Sequence, residues 1–521
     1  MTQAAPLPSR RPRSSQLPSR SLPAYEAVDG EPTEELRGRH ATMNGQGFDR
    51  LVAWTILGSF VPGLGLIVAG RRTAGRVLLG VVAISALAAA AFVLVGDPVT
   101  TARRIATSPS NLLLVAAALA VGALLWALVV VATHSSLRRY ANLTSAQRGL
   151  STALVLGLVG IGALPALQGS RYALIARDTV QSIFPSDGGA GLPGSDRSVP
   201  TAGEDPWEKI PRVNVLLIGS DAGTGREGVR PDTLIVASID TRTGQTVLVS
   251  LPRNLQRVPF PAGSPAAQEY PNGFYCFNAE KGANTECLLN SLWTWAEEHP
   301  QYYPGKRHVG LLATMEAVQE ITGLKLDRYA MVNLRGFMQF VDAIGGLEID
   351  VKQRLPIGGS TRNMVAKDWI EPGKRKLNGY EALWYARSRW STTDFDRMLR
   401  QRCVIAAATQ QADPAAMARN FSDLAAAAKQ NISTNVRLDE LDAWMTLGMR
   451  VKKSSVRSLA FTNDVISTTH PDFDEMRRLV AAALKPRAAT PKPSSSAKPS
   501  PRPSPKPSTG SAQAQDVKSV C

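Results

Sequence analysis

Val213-Asn214-Val215-Leu216-Leu217-Ile218-Gly219-Ser220-Asp221 decides how the second half of this 521-residue chain folds. The β-branched apolar run is too short for a helix, and Gly-Ser-Asp closes it with turn chemistry. It reads as a buried strand with a carboxylate at its tip. Thr233 to Ile239 and Thr246 to Leu251 repeat the pattern with Gly244 between them, so the region opens strand-rich. Helical spacing follows over Val309 to Thr322, Leu334 to Ile344 and Ala406 to Gln430. Strands then helices predict an α/β sandwich with a mixed central sheet.

Chemistry gathers at the strand ends. Gly223-Thr224-Gly225-Arg226-Glu227-Gly228 matches a dinucleotide fingerprint, but Pro231 and a second strand follow where a phosphate-binding helix should open, which excludes that reading. Asp221 ends the first strand, Arg230-Pro231-Asp232-Thr233 enters the second, and Pro252-Arg253 leaves the third. If these strands are neighbours, two carboxylates and an arginine meet at one edge, a setting for a divalent cation beside a phosphate. In Tyr385-Ala386-Arg387-Ser388-Arg389-Trp390 the two arginines are at i and i+2, one face of a strand. Adjacent guanidinium groups repel unless an anion bridges them, and their forks suit phosphate oxygens. Asp394, Arg397 and Gln401 share one helical face, with Arg400 nearby. A surface network joining these arginines to Asp394 and Asp396 is the alternative.

Working back toward the N-terminus, four uncharged apolar stretches lie at 51–70, 77–96, 112–132 and 150–168. Each is near the ~20 residues that cross a hydrocarbon core. They predict an all-α transmembrane region over 51–168. Pro62-Gly63 inside the first stretch frees backbone groups that lipid cannot satisfy, so 51–70 is expected to be re-entrant or broken. Arg71, Arg72 and Arg76 occupy one loop and Arg138, Arg139 and Arg148 another, and the positive-inside rule makes both cytoplasmic. The other three stretches then place everything after residue 169 outside the plasma membrane, a multi-pass arrangement. Residues 1–50 read as a disordered cytoplasmic arm, 169–206 as a linker, and 207–484 as the extracytoplasmic domain. Residues 485–521, with seven Lys and Arg, one Asp and no aromatic residue, read as a disordered basic tail, either tethered to an anionic surface or simply solvated.

Lys plus Arg number 59 against 43 Asp plus Glu, so the partner is expected to be anionic. Nucleic acid is excluded, because the basic domain lies across the membrane and much of the charge sits in tails. The five histidines form no HExxH and no two cysteines have CxxC spacing, so any metal should be a hard, oxygen-bound one. Cys276 and Cys287, in a compartment where disulfides persist, are expected to pair. Cys403 is expected to be a buried free thiol. The aromatic segment around them, 255–308, reads as a hydrophobic mini-core or as a groove for acceptor or lipid, with Lys281 a further phosphate-binding candidate.

Seven motifs then carry a resemblance. Leu217-Ile218-Gly219-Ser220-Asp221, Arg230-Pro231-Asp232-Thr233, Leu251-Pro252-Arg253, Val341 to Leu347, Leu377 to Leu383, Tyr385-Ala386-Arg387-Ser388-Arg389 and Asp394 to Gln401 stand in the order of the LytR-CpsA-Psr family, which this domain resembles over about 212–465. The resemblance implies an α-β-α fold and a membrane-anchored phosphotransferase. Such an enzyme moves a glycopolymer from a polyprenyl-pyrophosphate carrier to peptidoglycan. It implies Asp221 and Asp232 as ligands of Mg2+ (or Mn2+), with Arg230, Arg253, Arg387, Arg389, Arg397 and Gln401 on the pyrophosphate and an apolar pocket for the prenyl chain. Asp232, Arg253 and Arg389 are the expected catalytic residues, with Asp232 either a base or a metal ligand. Asn254 departs from the family's Asp and has no charge to offer. Two other readings use the same residues: a polyprenyl-pyrophosphate pyrophosphatase, and a non-catalytic polyprenyl-phosphate-binding regulator.

Overall fold

The computed structural model describes residues 34–184, 205–221, 229–277, 286–358, 365–388, 394–411, 419–462, 465–485, 514–516 and 521. Arg389, Lys281, the Gly223 to Gly228 fingerprint and most of the 169–206 and 485–521 segments lie outside them. The chain forms two compact units, 1–83 with 126–160, and 84–125 with 161–521.

The first unit is helical. α1 (Glu34–Phe60) stops at Val61-Pro62-Gly63, and α2 (Leu64–Val68) restarts after Gly63, whose φ of 105° only glycine adopts without strain. The 51–70 stretch is thus two helices broken at the proline. α1 also corrects the expected arm, since helix begins at Glu34. Three further helices run into or through this unit: α3 (Arg72–Val95), α5 (Pro109–Arg138) and α6 (Ser145–Ile183). Among the described residues these three are long and apolar enough to cross a membrane. α1, α5 and α6 share a small core of Val130, Val155 and Leu158 with Ile56 and Trp126 against it, and the Trp126 indole N–H donates to Leu158 O at 3.1 Å. α6 has 39 residues, about 58 Å at 1.5 Å per residue, so it outruns a bilayer. Residues 169–183 are therefore its continuation and not linker.

In the second unit, α4 (Pro98–Thr107) lies between α3 and α5. β1 (Arg212–Ser220), β2 (Pro231–Asp240) and β3 (Thr246–Leu251) follow the expected strands. α7 (Pro265–Glu269), α8 (Leu292–Glu298) and α9 (Val309–Thr322) precede β4 (Arg328–Asn333) and α10 (Leu334–Ala343). Two hairpin-like pairs, β5 (Leu347–Val351) with β8 (Gly373–Leu377) and β6 (Leu355–Ile357) with β7 (Asp368–Ile370), lead to α11 (Gly379–Arg387) and α12 (Asp394–Gln411). Then come α13 (Phe421–Asn431), β9 (Ile432–Thr434), α14 (Leu441–Lys452), β10 (Val456–Ala460), α15 (Phe473–Leu484) and β11 (Gln515–Asp516).

Seven strands form one mixed sheet in the order β11-β10-β3-β2-β1-β4-β9. Alternation along the strands sorts their side chains into two layers. Leu216, Ile218, Leu234, Val236 and Val249 pack with α9 and α15, while Ile235, Ala237 and Leu248 pack with Ala406 of α12. The domain is an α-β-α sandwich. The 406–430 helical pattern is two helices, α12 starting earlier and α13 later. The tail is corrected too: β11 pairs antiparallel with β10, and Cys521 forms a disulfide with Cys403, which is therefore not a free thiol. Composition alone missed this because an edge strand needs only a neighbour with unpaired backbone, and the thiol's partner is 118 residues away.

Candidate active site

Antiparallel pairing of β1 with β2 sets Gly219 opposite Thr233 and Ser220 opposite Pro231 across a bulge. Asp221, one residue past β1, and Asp232, the second residue of β2, therefore stand at the same edge. A Cβ at Gly219 would come within 2.9 Å of Thr233 Cβ, so the close approach of these strand ends requires glycine. β3 pairs antiparallel with β2, Leu251 opposite Leu234, and delivers Arg253 to that edge. Arg253 Nη1 donates to Asp232 Oδ1 at 2.5 Å. Arg387 Nη2 lies 3.4 Å from the carboxylate of Asp221, which is buried.

Arg387 is not on a strand. Asn378 accepts from the Glu381 N–H and Glu381 accepts from the Asn378 N–H, both at 2.9 Å, a capping box that starts α11. The Asp342 carboxylate accepts from the Gly379 N–H at 2.7 Å, and any Cβ at Gly379 would strike Met338 O. The Val341 to Leu347 and Leu377 to Leu383 motifs thus build the start of α11, and Arg387 is its last residue. Arg400, buried on α12, donates to the carbonyls of Tyr385 and Ser388 and so locks the end of α11 onto α12. Sequence reasoning placed Arg400 only nearby; its role shows in the carbonyls it reaches, which carry no sequence signature.

Between the sheet and α10 to α12 lies a cavity of about 290 Å3. Its polar lining includes Asp232, Arg253, Arg387, Arg397, Gln401 and Asn333; its apolar lining includes Leu217, Ile218, Leu334, Phe337, Leu383 and Val404. Polarity is graded along the elements. On β1 the lining passes from Leu217 to Ser220 toward the strand end, and on α12 from Arg397 and Gln401 to Val404 and Ile405 away from it. One end is cationic and the other greasy. Asn333, Leu334 and Phe337 were not anticipated. Asn333 caps α10 by accepting from the Gly336 N–H at 2.9 Å, and the cap signal, Asn before a helical run, was readable.

Arg230 does not line the cavity: its side chain is exposed, and its carbonyl accepts from the Asp221 N–H at 3.3 Å. Burial alone would raise the Asp232 carboxyl, but Arg253, with Arg397 and Arg387 behind it, more than offsets that and holds it below the usual carboxylate range. Among the described residues no three His, Cys, Asp or Glu side chains gather as a metal cage. Asp221, just past β1, and Asp232, at the bulge that opens β2, supply two hard oxygen donors at neighbouring strand ends, a set that suits a cation sharing its remaining sites with phosphate and water. Cys276 and Cys287 form a disulfide in the segment after β3, close to the site in the chain, with Asn290 N–H donating to Arg253 O at 3.0 Å.

Residues 195–477, more than half of the chain, match the model of the LytR_cpsA_psr family. A polyisoprenyl-teichoic acid--peptidoglycan teichoic acid transferase TagU of Enterococcus faecalis is 27% identical over 51% of this chain and 77% of its own length. Biofilm regulatory protein A of Streptococcus mutans is 25% identical over 47% of this chain and 55% of its own. The crystal structure of B. subtilis TagV is 22% identical, covering 52% of this chain and 95% of that one with a TM-score of 0.35. Because the match runs through every element that lines the cavity, the chain belongs to the LytR_cpsA_psr family.

Proposed function

We propose that this protein is a membrane-anchored phosphotransferase that moves a glycopolymer from a polyprenyl-pyrophosphate carrier to peptidoglycan on the outer side of the plasma membrane. The graded cavity carries the reading. A prenyl pyrophosphate is a long apolar chain ending in concentrated negative charge, and the lining offers Arg253, Arg387, Arg397 and Gln401 at one end and aliphatic and phenyl groups at the other. Arg389, two residues after Arg387, joins the same clamp in this reading, and α3, α5 and α6 are the three membrane crossings.

An acceptor hydroxyl attacks the sugar-bearing phosphorus; its P–O bond forms as the bond to the bridging oxygen breaks, and prenyl monophosphate leaves with that oxygen. Charge grows on the bridging and equatorial oxygens, where the arginines stand fixed before the reaction starts. The transition state of such transfers is loose, so the hydroxyl gives up its proton late, to solvent. Asp232 orients Arg253 and is a poor base, because its carboxyl is held low. Asp221 and Asp232 are the residues that would hold Mg2+ or Mn2+, which when bound supplies further charge neutralisation at the pyrophosphate.

The test is to incubate the full chain in vesicles with a lipid-pyrophosphate-linked saccharide, magnesium and peptidoglycan fragments, and to analyse products by mass spectrometry. A glycan joined to the fragment through a phosphodiester is the expected product. Free saccharide phosphate alone would replace this reading with a pyrophosphatase, and bound donor without product would replace it with a regulator.

A further inference from the structure

α4 is an unusual loop. It is a ten-residue helix between two helices apolar enough to span a bilayer, and it carries Arg103 and Arg104. α4 packs against α14 of the sandwich domain, and Arg103 Nε donates to Asp442 Oδ1 at 2.5 Å with its side chain only 16% exposed. α14 is itself tied firmly to the domain. Trp207 Nε1 donates to Ala443 O at 2.8 Å, and Trp207 and Trp444 meet edge to face with centroids 5.0 Å apart. Glu440, just before α14, holds the fully buried Arg328 of β4 through both carboxylate oxygens.

A second contact joins the domain to the far end of α6. Tyr172 packs edge to face on Phe421 of α13 at 6.1 Å, and Lys429 Nζ donates to Asp178 Oδ2 at 2.7 Å. α13 packs on α10, where Asn333 Nδ2 donates to Asn431 Oδ1 at 2.9 Å, and α10 presents Leu334 and Phe337 to the cavity. The apolar wall of the cavity is therefore one helix away from α6.

We infer that α4 is a docking strut: it clasps α14 through Arg103 and Asp442 and, with the α6–α13 contact, fixes the height and tilt of the cavity above the bilayer so that a donor held in the membrane can enter it. This rests on the phosphotransferase reading for its consequence but not for the contact itself. The ion pair also requires loop 96–108 and the domain to share one side of the membrane. That loop's two arginines run against the positive-inside bias, which the flanking loops outweigh with three each, Arg71, Arg72 and Arg76 in one and Arg138, Arg139 and Arg148 in the other. A flexible tether would leave the cavity free to tumble, and fixing it raises the effective concentration of membrane-held donor at its mouth.

The test uses the full chain in vesicles. With Arg103→Lys, which keeps the ion pair, a zero-length carbodiimide should join the new amine to the Asp442 carboxylate as an amide, found as a linked peptide by mass spectrometry; its absence overturns the docking whatever the enzyme does. Arg103→Glu alone, and Asp442→Arg alone, should each lower transfer from a membrane-held donor by on the order of two- to fivefold, the scale of a partly exposed ion pair. The double reversal should restore it, and transfer from a short-chain soluble donor should be unchanged in all three. Equal losses with both donors, or no loss with either, would overturn the strut. Should the unaltered chain transfer nothing, the phosphotransferase reading fails while the cross-link still decides the docking.

Discussion

Asp232 and Glu316 are acids of one domain pushed in opposite directions. Asp232 sits among Arg253, Arg397 and Arg387 and stays ionised below the usual carboxylate range. The stability of its pairing is thus present above the ordinary carboxylate value and lost only as pH falls through the lowered one. Transfer should accordingly hold level from pH 7 to pH 5 when kcat/KM is measured across that window; a decline centred near pH 6 would mean that a different group titrates. Arg253→Ala should lower kcat/KM about a hundredfold by removing one donor from the developing charge. Glu316 on α9 is raised from 4.5 to about 7, chiefly by burial, with Lys306 pulling it back and Glu320 adding to the rise. Its folded form binds a proton more readily than its unfolded form, so folding loses stability as pH climbs from 4.5 through 7. Glu316→Gln should therefore raise the unfolding free energy at pH 8 by about 1–2 kcal/mol, after allowing for solvent screening, and do nothing near pH 4, as denaturant unfolding at the two pH values would report.

α11 and α12 show what the sequence disclosed and what it withheld. β1, β2 and β3 were legible because buried strands write themselves as β-branched runs, and their convergence at one edge follows from antiparallel neighbours. Asp221, Asp232 and Arg253 meet there as the strand ends suggested. The Arg387 segment misled because a two-residue spacing is too short to distinguish periods of 2 and 3.6; the better signal was Asn378 three residues before Glu381. Asn378→Ala should cost about 1 kcal/mol and, by loosening the start of α11, lower transfer without changing the fold, as circular dichroism and the transfer assay together would report. The resemblance implies Arg230 on the pyrophosphate, whereas its side chain is exposed and does not line the cavity. The Cys403–Cys521 bond closes a separation of 118 residues, so Cys521→Ser should lower domain stability by about 2–4 kcal/mol in thermal unfolding under non-reducing conditions.

Across the whole molecule, three helices long and apolar enough to cross a membrane and a cavity lined by arginines and by apolar side chains suit the amphiphilic donor proposed above. Net charge, so conspicuous in the composition, turns out to be a poor guide, since the arginines that matter are the few that converge at a strand edge. The most direct measurement follows the phosphorus. A donor with an isotopically labelled bridging oxygen is given to the full chain in vesicles with peptidoglycan fragments, and both products are weighed by mass spectrometry, with Arg397→Ala in parallel. Label in the prenyl monophosphate and an unlabelled phosphodiester between glycan and peptidoglycan, both lost in the variant, is the expected result. A glycan attached without phosphorus, or product undiminished by Arg397→Ala, would contradict it.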